Sequence, residues 1–511
     1  MNIVEQNREL INGSLSTFDR MIINGYLLCF QNYRHFLFYL IQNDILLKDF
    51  KPFALKQTQI LCDHIENYLN ELNVPLQYLN SGKINKDELA KKEFEKDSSK
   101  TGLIAAFSAV ELCKTMTVVL NKTSKKLEVS SRPTKCKHYY LYFNDEEFGW
   151  MFLKIQTWFP YNVQIYINGR EYLSKQLDKH GIKYKKYFNS FSYIEDYEKA
   201  QEIADKLLNK KLSDSFNSIL KPFHCLLDDI TSTMNHSYYW CIDQCEYATD
   251  INFKTREDLS SFYKTLVEST YFAFSSEDIY SFFGRKVSDI NKFSKGEIVS
   301  DLRHRYQGYR IKFKINSNQI KMYDKGTNLR IEVTINNPKD FKIIKETETI
   351  TSTGETSTQK KWLPMGKSIT NLYRYVEISK SIINRYIEAL PTIDTSSVTL
   401  KTFTQLSKRK EVKKRVYSAF NIFDEDTLRL FRCIAKGEYL IRGFDNKLIR
   451  KELYDDPDCK RNINRTTRLL SKLRAHGVIK KVAKKNRYYL TTTGRKTLST
   501  ILLYTQRDLL N

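Results

Sequence analysis

The stretch from Arg305 to Asn336 constrains the fold more than any other part of the chain. Apolar and polar residues alternate in three runs, Tyr309 to Ile315, Ile320 to Tyr323 and Leu329 to Ile335. The turn-forming sequences Asn-Ser-Asn and Asp-Lys-Gly separate these runs. Alternation with a period of two, interrupted by tight turns, predicts three consecutive antiparallel strands with one apolar and one polar face. We therefore expect an antiparallel sheet in the large domain.

The polar face of these strands is a basic row that contains a carboxylate. Its members are Arg310, Lys312, Lys314, Lys321, Arg330 and Glu332. One interpretation is a solvated face on which opposite charges pair across strands. The other is a surface that follows a nucleic-acid backbone, because Lys and Arg neutralise phosphates and release counterions. Both interpretations stay open, and the second makes Arg310, Lys312 and Lys321 candidate DNA contacts.

Charge favours a polyanionic partner. The 511 residues carry a net charge of +24, and the pI is about 9.4. Residues 408–511 contain 27 Lys and Arg against 11 Asp and Glu, so +16 of the +24 lies in the last fifth of the chain. The base composition of an AT-rich genome would spread basic residues evenly. DNA is therefore the predicted partner.

The nine cysteines predict buried thiols in a reducing compartment. Cys241 and Cys245 are four residues apart, with His224, Cys225 and His236 nearby in the sequence, but no CxxC pair is present. Structural thiols are therefore favoured over a zinc site at these residues. The sequence shows no secretory signal and no apolar run of membrane-spanning length, so we expect a cytoplasmic protein that has no membrane partner.

Periodicity predicts an α+β protein with four parts. We expect a helical N-terminal region at 1–100, a mixed α+β core domain with an antiparallel sheet at 101–392, a basic linker at 393–420, and a winged helix domain at 421–511.

Aromatic residues are dense in the predicted strands at 138–143, 150–158 and 161–167. Alternating aromatics with Lys and Arg nearby suit a platform on which single-stranded bases stack. The alternative is that these residues pack a core, as aromatic strand formers commonly do. The core interpretation is preferred because both faces of the strands carry aromatics. Single-stranded nucleic acid stays a second candidate partner.

Carboxylates near the meander are the candidate metal ligands. Asp243, Glu246 and Asp250 are three and four residues apart. This spacing would place all three on one face of a helix, but not on one face of a strand. A solvated acidic face is the alternative. With the meander included, the candidate ligands are Glu246, Asp250, Asp324 and Glu332, and Mg²⁺ is the cofactor expected if the domain is an enzyme. Phosphate-loop, dinucleotide, zinc-protease and serine-hydrolase motifs do not occur in the sequence.

Tyr323-Asp324-Lys325 followed by Arg330-Ile331-Glu332 resembles a pattern in the rolling-circle replication initiators of the plasmid Rep family. There, a Tyr-Asp-Lys strand end precedes an Arg-x-Glu strand. The resemblance covers about ten residues and implies a DNA-nicking enzyme with a metal and a nucleophilic tyrosine. Tyr309 and Tyr323 are the candidates for that tyrosine.

The C-terminal part predicts three helices, a basic-tipped hairpin and a last helix. Asp424 and Asp445 are placed to cap the first two helices, and His476-Gly477 ends the third. This order resembles the winged helix-turn-helix of bacterial regulators. The resemblance implies duplex contacts by the third helix and the hairpin, which makes the candidate DNA-binding residues Arg461, Arg465, Arg468, Lys472, Lys480, Lys481, Lys484, Lys485 and Arg487. Winged helices also serve as protein-protein modules.

The chain as a whole resembles a bacterial protein family that ends in a MarR-like winged helix and has no established activity. The segments that carry the resemblance are KCKHYYLYF, GWMFLKIQTWFPYNVQIYINGRE, IKMYDK and LRIEVTIN. We expect a DNA-binding protein, linked to a mobile element or plasmid, whose α+β domain adds a second nucleic-acid surface. A metal-dependent nicking initiator or nuclease and a winged-helix transcriptional regulator stay open as alternatives. About 400 residues precede the module, more than a simple regulator needs.

Overall fold

The computed structural model describes most of the chain, in a mixed α/β arrangement. The described residues are 7–81, 84–187, 189–234, 237–260, 262–263, 266, 274, 276–284, 298–305, 308–350, 356–390, 406–412, 415–422, 424–436, 439, 443–482, 485–491, 493–495, 497–498 and 501–502. No helix within these ranges is long and apolar enough to span a bilayer.

Eleven strands form one large sheet in the order β10-β11-β12-β13-β9-β1-β6-β5-β4-β3-β2. The β2–β3 pair is parallel, and the other neighbours are antiparallel. The strands are β1 (Ile11–Leu27), β2 (Leu76–Leu79), β3 (Gly102–Leu120), β4 (Leu127–Asp145), β5 (Gly149–Gln156), β6 (Val163–Asn168), β9 (Tyr238–Phe253), β10 (Ile298–Arg305), β11 (Gly308–Ile315), β12 (Asn318–Lys325) and β13 (Asn328–Ile335). Two hairpins lie outside it, β7 (Tyr184–Lys186) with β8 (Phe191–Ile194) and β14 (Lys342–Ile350) with β15 (Thr356–Pro364).

The large sheet consists of two halves with the same topology. In the first half, β1 is followed by the antiparallel run β3 to β6, and β6 returns to pair with β1. In the second half, β9 is followed by the run β10 to β13, and β13 returns to pair with β9. Because β1 and β9 pair antiparallel at the centre, an approximate two-fold axis relates the halves. Residues at this centre come from both.

Helices cover both faces of the sheet. They are α1 (Tyr33–Gln42), α2 (Phe50–Glu71), α3 (Lys86–Lys96), α4 (Gly169–Lys179), α5 (Tyr197–Asp205), α6 (Leu212–Leu220), α7 (Leu227–Met234), α8 (Ser276–Phe282) and α9 (Leu372–Ala389). Residues of α1, α2 and α6 to α9 join the apolar face of the sheet in the main core. On the polar face, α3 packs against aromatics of β4 and β5, and α4 and α5 pack against Leu15 of β1.

The predicted meander forms β11, β12 and β13. Lys312 lies opposite Lys321, which in turn lies opposite Glu332, so the polar positions share a face. The apolar positions point to the main core and are at most 1% exposed: Ile311, Phe313, Ile320, Met322, Ile331 and Val333. Strand β10 extends the meander by one strand that the sequence pattern did not indicate.

The prediction of a helical start to the chain is wrong for residues 11–27, which form the 17-residue strand β1. Met21, Ile23 and Leu27 face the core with the alternation of a strand. The strand lies between β6 and β9 at the centre of the sheet, so pairing with both neighbours overrides the local apolar spacing. Residues 33–96 contain three helices, as expected. Strand β9 likewise excludes the helix face considered for Asp243, Glu246 and Asp250.

The aromatic residues of β4 and β5 belong to the core. Tyr139, Tyr140 and Tyr142 are 8% exposed or less. Phe152 stacks on Tyr166 with ring centroids 5.4 Å apart, and α3 covers this group. These residues therefore pack against protein and do not present an open platform for bases.

A separate core joins the C-terminal elements. These are helices α10 (Glu425–Ile434), α11 (Asn446–Leu453) and α12 (Lys460–Ala475), and the hairpin β18 (Ile479–Lys481) with β19 (Tyr488–Leu490). Before them lies the short, largely exposed hairpin β16 (Lys410–Val412) with β17 (Arg415–Tyr417). The side chains of Asp424 and Asp445 cap α10 and α11, as predicted. Leu406 and Phe420, within the stretch predicted as a linker, lie in this core. Lys484 and most of the last predicted helix lie outside the described residues.

Gly25 of β1 is tightly enclosed at the centre of the sheet. A Cβ there would lie 2.6 Å from Val163 Cγ2 and 2.8 Å from Trp240 Cζ3. We predict that Gly25→Ala lowers the free energy of unfolding by about 1 to 3 kcal/mol, because both neighbours must shift. Urea unfolding measures this. Gly366→Ala is the control, since its nearest atom would be 3.8 Å away, and equal stability of the two variants would contradict the packing.

Candidate functional site

A β-bulge in the central strand pair places two charged residues side by side. The register of β1 against β9 shifts between Phe18 and Met21, so that Asp19 and Arg20 lie opposite the single residue Glu246. Phe18 and Met21 both belong to the main core. Asp19 and Arg20 therefore share the polar face. Bulges re-aim side chains in this way and are common next to active sites.

Three carboxylates from neighbouring strands converge at the bulge. Asp19 of β1, Glu246 of β9 and Glu332 of β13 each bring one oxygen to within 4.8 Å of the others. The three residues are 4%, 8% and 3% exposed, respectively. Adjacent strands in a sheet are about 4.8 Å apart, so strand pairing itself brings these groups together. We call Asp19, Glu246 and Glu332 the carboxylate cluster.

Donors from β1 and β12 hold the two glutamates. Lys321 Nζ lies 2.5 Å from Oε1 of Glu332 and 3.9 Å from Oε1 of Glu246. The Tyr323 hydroxyl donates to Oε2 of Glu332 at 2.6 Å. Arg20 Nη2 lies 3.1 Å from Oε1 of Glu246, and the Arg20 side chain is 43% exposed. Arg20 therefore marks the side of the cluster that faces solvent.

A buried ion-pair network lies beside the cluster. Arg330 donates from Nε to Oδ1 of Asp250 at 2.8 Å and from Nη1 to Oδ2 of Asp19 at 2.9 Å. Arg170, the second residue of α4, also donates to Asp250. The four side chains are at most 5% exposed. Asp19 belongs to the network and to the carboxylate cluster, so the network fixes one wall of the cluster.

The two glutamates of the cluster have pKa values that are shifted in opposite directions. Burial and the Glu332 carboxylate raise the pKa of Glu246 to about 7. Burial acts in the same direction on Glu332, but Lys321 and Arg330 outweigh it and lower the pKa of Glu332 to about 2. Glu332 is therefore charged near neutral pH, where Glu246 titrates.

The structure brings together two of the four predicted metal ligands. Glu246 and Glu332 belong to the cluster. Both oxygens of Asp250 accept from buried arginines, and these arginines outweigh the effect of burial and lower the pKa of Asp250 to about 2. Asp324 follows Tyr323 in β12, so strand alternation places it on the opposite face, and its Oδ1 accepts from the N–H of Gly326 at 2.8 Å. Asp250 is thus a structural partner and Asp324 lies away from the site.

Asp19 is the member of the cluster that sequence reasoning missed. The signal was the Asp-Arg pair inside the apolar run from Leu15 to Leu27. Two adjacent charges interrupt the alternation there, which is the mark of a bulge. The helix predicted for this segment gives such an interruption no structural meaning.

Of the two predicted tyrosines, Tyr323 lies at the cluster. Burial and the Glu332 carboxylate raise the pKa of Tyr323 well above its usual value, so its hydroxyl is a proton donor near neutral pH. Tyr309 is the second residue of β11, but its side chain lies outside the described residues.

Cross-strand rows link the basic face to the cluster. One row runs Lys312, Lys321, Glu332, and the next runs Arg310, Tyr323, Arg330. Lys321 pairs directly with Glu332 across the strands, but Arg330 and Glu332 are at most 3% exposed, so this part of the face is buried and not solvated. The same rows place two further cations of β11 within a few strand widths of the carboxylates. The cations of β11 and the carboxylates therefore share one face of the sheet.

An all-oxygen cluster suits a hard divalent cation. Mg²⁺, Mn²⁺ and Ca²⁺ prefer carboxylate oxygens at about 2.0 to 2.6 Å. Two oxygens bound to one such cation lie within about 5 Å of each other, as the cluster oxygens do. The spacing of Asp19, Glu246 and Glu332 therefore suits such a cation. To bind it, Glu332 would give up Lys321, and Asp19 would give up its amide donors Asn168 and Asn189.

The predicted DNA-binding residues of α12 differ in their surroundings. Arg461 and Arg468 are exposed. Arg465 forms an ion pair with Asp426 at 2.9 Å. Lys472 donates to the carbonyl oxygen of Ala419 at 2.8 Å, and its Nζ lies 4.0 Å from the ring centroid of Phe420. Lys472 therefore anchors the segment that enters the module.

The basic residues of the β18–β19 hairpin lie open to solvent. Lys480, Lys481, Lys485 and Arg487 are exposed. The first three, with Arg474 of α12, line a shallow groove of about 610 Å³. This groove joins the end of α12 to the hairpin, so helix and hairpin present one continuous basic surface.

We predict an opposite pH dependence of stability for the two glutamates. Because the pKa of Glu246 is raised from 4.5 to about 7, the folded protein retains a proton that the unfolded chain releases. Stability should therefore fall as pH rises from about 4.5 to 7. The pKa of Glu332 is lowered to about 2, so its contribution is present above about pH 4.5 and is lost as pH falls towards 2.

Urea unfolding in a chelating buffer from pH 4 to 8 measures the first of these effects. Glu246→Gln should remove the decline between pH 4.5 and 7. Glu171→Gln is the control, because Glu171 is partly exposed in an ion pair with Lys186. If Glu246→Gln shows the same decline in stability between pH 4.5 and 7 as the wild type, another group causes that decline.

Comparison with known proteins adds no family to this description. No protein-family model, no curated protein and no solved structure matches the chain. The resemblances to MarR-like regulators and to replication initiators therefore stay predictions. What the site does is inferred from its own side chains.

Proposed function

We propose that this protein binds DNA and cleaves a phosphodiester bond at the carboxylate cluster with the help of a divalent cation. The observation that carries the proposal is the convergence of Asp19, Glu246 and Glu332 within 4.8 Å beside a basic sheet face. Nuclease and nicking sites need a negative pocket for metal and a positive surface for phosphate, and this face combines both. A bound Mg²⁺ or Mn²⁺ polarises a phosphoryl oxygen and lowers the pKa of a bound water.

The residues around the cluster have separate roles in this proposal. Lys321 and Arg20, each within 4 Å of a cluster carboxylate, would be the cations nearest to a phosphate bound at the cluster. Lys312 and Arg310 extend the phosphate-binding surface along β11. Arg330 and Asp250 hold Asp19 in place and do not contact the substrate.

Tyr323 is assigned a positioning role. Its proton is engaged by Glu332, and its raised pKa opposes the phenolate that attack on phosphorus requires. A covalent tyrosine–DNA link, which the resemblance to replication initiators implies, would need a different tyrosine or a large change at Tyr323. Water is therefore the proposed nucleophile.

The C-terminal module supplies duplex binding in this proposal. Three helices followed by a two-stranded hairpin, with a bridge between Phe444 and Tyr488, have the order of a winged helix. The exposed Arg461 and Arg468 support groove contact by α12, and the exposed lysines of the hairpin support contact with the backbone. A purely regulatory winged-helix protein is less favoured, because it leaves the carboxylate cluster without a role.

Cleavage gives the test of the cluster. Asp19→Asn and Glu332→Gln should each lower Mn²⁺-dependent nicking of supercoiled plasmid by at least about 100-fold, since each removes a ligand charge. Asp324→Asn is the control, because Asp324 is a carboxylate of the same meander on the opposite face, and it should keep wild-type activity. Loss of activity in all three, or activity in chelator, would contradict the proposed site.

The nucleophile is tested in the same assay. Tyr323→Phe should retain measurable nicking, and no protein should remain attached to DNA after denaturation. A covalent adduct that disappears in Tyr323→Phe would overturn the positioning role and favour a replication-initiator mechanism.

Salt dependence tests the C-terminal module in the full chain. The triple variant Lys480→Ala, Lys481→Ala, Lys485→Ala should flatten the slope of log affinity against log salt by about 2 to 3 on duplex DNA, because each lost phosphate contact lowers it by about 0.9. The matched control is Lys48→Ala, Lys51→Ala, Lys56→Ala, which removes the same charge from exposed positions near α2. Equal slopes in both variants would contradict a role for the hairpin.

A further inference from the structure

A second ligand-bearing group lies on the first half of the sheet, apart from the carboxylate cluster. Cys113 of β3 and Cys136 and His138 of β4 each bring one ligand atom to within 4.8 Å of the others. The two sulfurs are 2.8 Å apart, and Sγ of Cys136 lies 4.0 Å from Nδ1 of His138. Cys113 is half-buried and His138 is 3% exposed. His138 therefore holds the group on its buried side, and Cys113 leaves its other side accessible to solvent.

This group lies where the large sheet narrows to two strands. His138 pairs with Gln156 at the end of the β4–β5 ladder. Beyond that point, β3 and β4 continue to pair from Val110 with Lys137 to Leu120 with Leu127, and Met116 is the last residue held by the segment after β5, through Phe159 and Trp158. A two-stranded ribbon is only marginally stable in water by itself. A link between the strands at this base would therefore stabilise the ribbon.

The ligand set differs in kind from that of the carboxylate cluster. Two thiols and an imidazole select thiophilic cations such as Zn²⁺, whereas carboxylates alone select Mg²⁺ or Mn²⁺. Nδ1 of His138 lies 3.1 Å from the carbonyl oxygen of Cys136. The same nitrogen faces the sulfur of Cys136, so the tautomer that binds a metal here carries its proton on Nε2 and gives up the hydrogen bond to that oxygen.

We propose that Cys113, Cys136 and His138 bind one Zn²⁺ ion that clamps the base of the β3–β4 ribbon, with a water in the fourth position. Zn–S bonds of about 2.3 Å at tetrahedral angles place two sulfurs about 3.8 Å apart. The sulfurs at 2.8 Å must therefore separate by about 1 Å on binding. Cys113 lies on the more open side, so its side chain rotates to make this room.

Zinc stoichiometry and cobalt spectroscopy of the full chain test the site. Protein purified without chelator should contain one Zn²⁺ per chain by elemental mass spectrometry, and Co²⁺ exchanged for zinc should give a sulfur-to-cobalt charge-transfer band. Cys113→Ser should lower zinc affinity by at least about tenfold in a chelator competition and should remove part of the band. Because Cys113 is half-buried, this variant should fold, and circular dichroism checks it.

Two controls separate this site from other thiols and from the proposed catalytic cluster. Cys241→Ser changes another half-buried cysteine and should leave zinc content unchanged. Glu246→Gln should also leave zinc content unchanged, so failure of the cleavage proposal does not affect this result. In thermal unfolding, added zinc should raise the melting temperature of the wild type and of both controls, but not of Cys113→Ser.

Three outcomes would overturn the zinc site. The first is protein that is free of zinc and does not bind added zinc. The second is a Cys113–Cys136 disulfide, found by peptide mass spectrometry in protein handled without reductant or oxidant. The third is zinc retained in Cys113→Ser at wild-type affinity.

Discussion

The charge pairing of Arg330 with Asp250 and Asp19 is the interaction on which the centre of the molecule depends. It joins β13, β9 and β1, which are consecutive strands of the sheet, and it does so with side chains at most 5% exposed. Removing one partner of such a buried pair leaves an uncompensated charge and typically costs about 3 to 5 kcal/mol. The pairing therefore fixes the register of the strands that carry the cluster.

Asp19 connects this structural pairing to the candidate chemistry. One oxygen accepts from Arg330, and the residue also belongs to the carboxylate cluster. The β-bulge that brings Asp19 onto the polar face occurs where the two halves of the sheet meet. The site thus takes one carboxylate from the first half and two from the second, and neither half forms it alone.

The two candidate metal sites lie in different parts of the large sheet. The oxygen cluster lies at the joint of the halves, and the sulfur and nitrogen cluster lies at the far side of the first half, where the sheet narrows. The difference in ligand type predicts that each would take a different class of cation. Loss of one site should leave the other intact, which makes the proposed functions separable by experiment.

The sequence by itself determined the meander and its polar face, because strand alternation and tight turns are local properties. It also determined the caps of α10 and α11 and the basic hairpin. The tertiary structure decided that residues 11–27 form a strand and that Asp19 joins Glu246 and Glu332. It also decided that Asp250 forms ion pairs with Arg170 and Arg330 and does not join the carboxylate cluster. It also brought Cys113 next to Cys136, which no short spacing indicates. These outcomes depend on which strands become neighbours, from 23 residues apart for Cys113 and Cys136 to 311 for Asp19 and Arg330, and no local pattern encodes that choice.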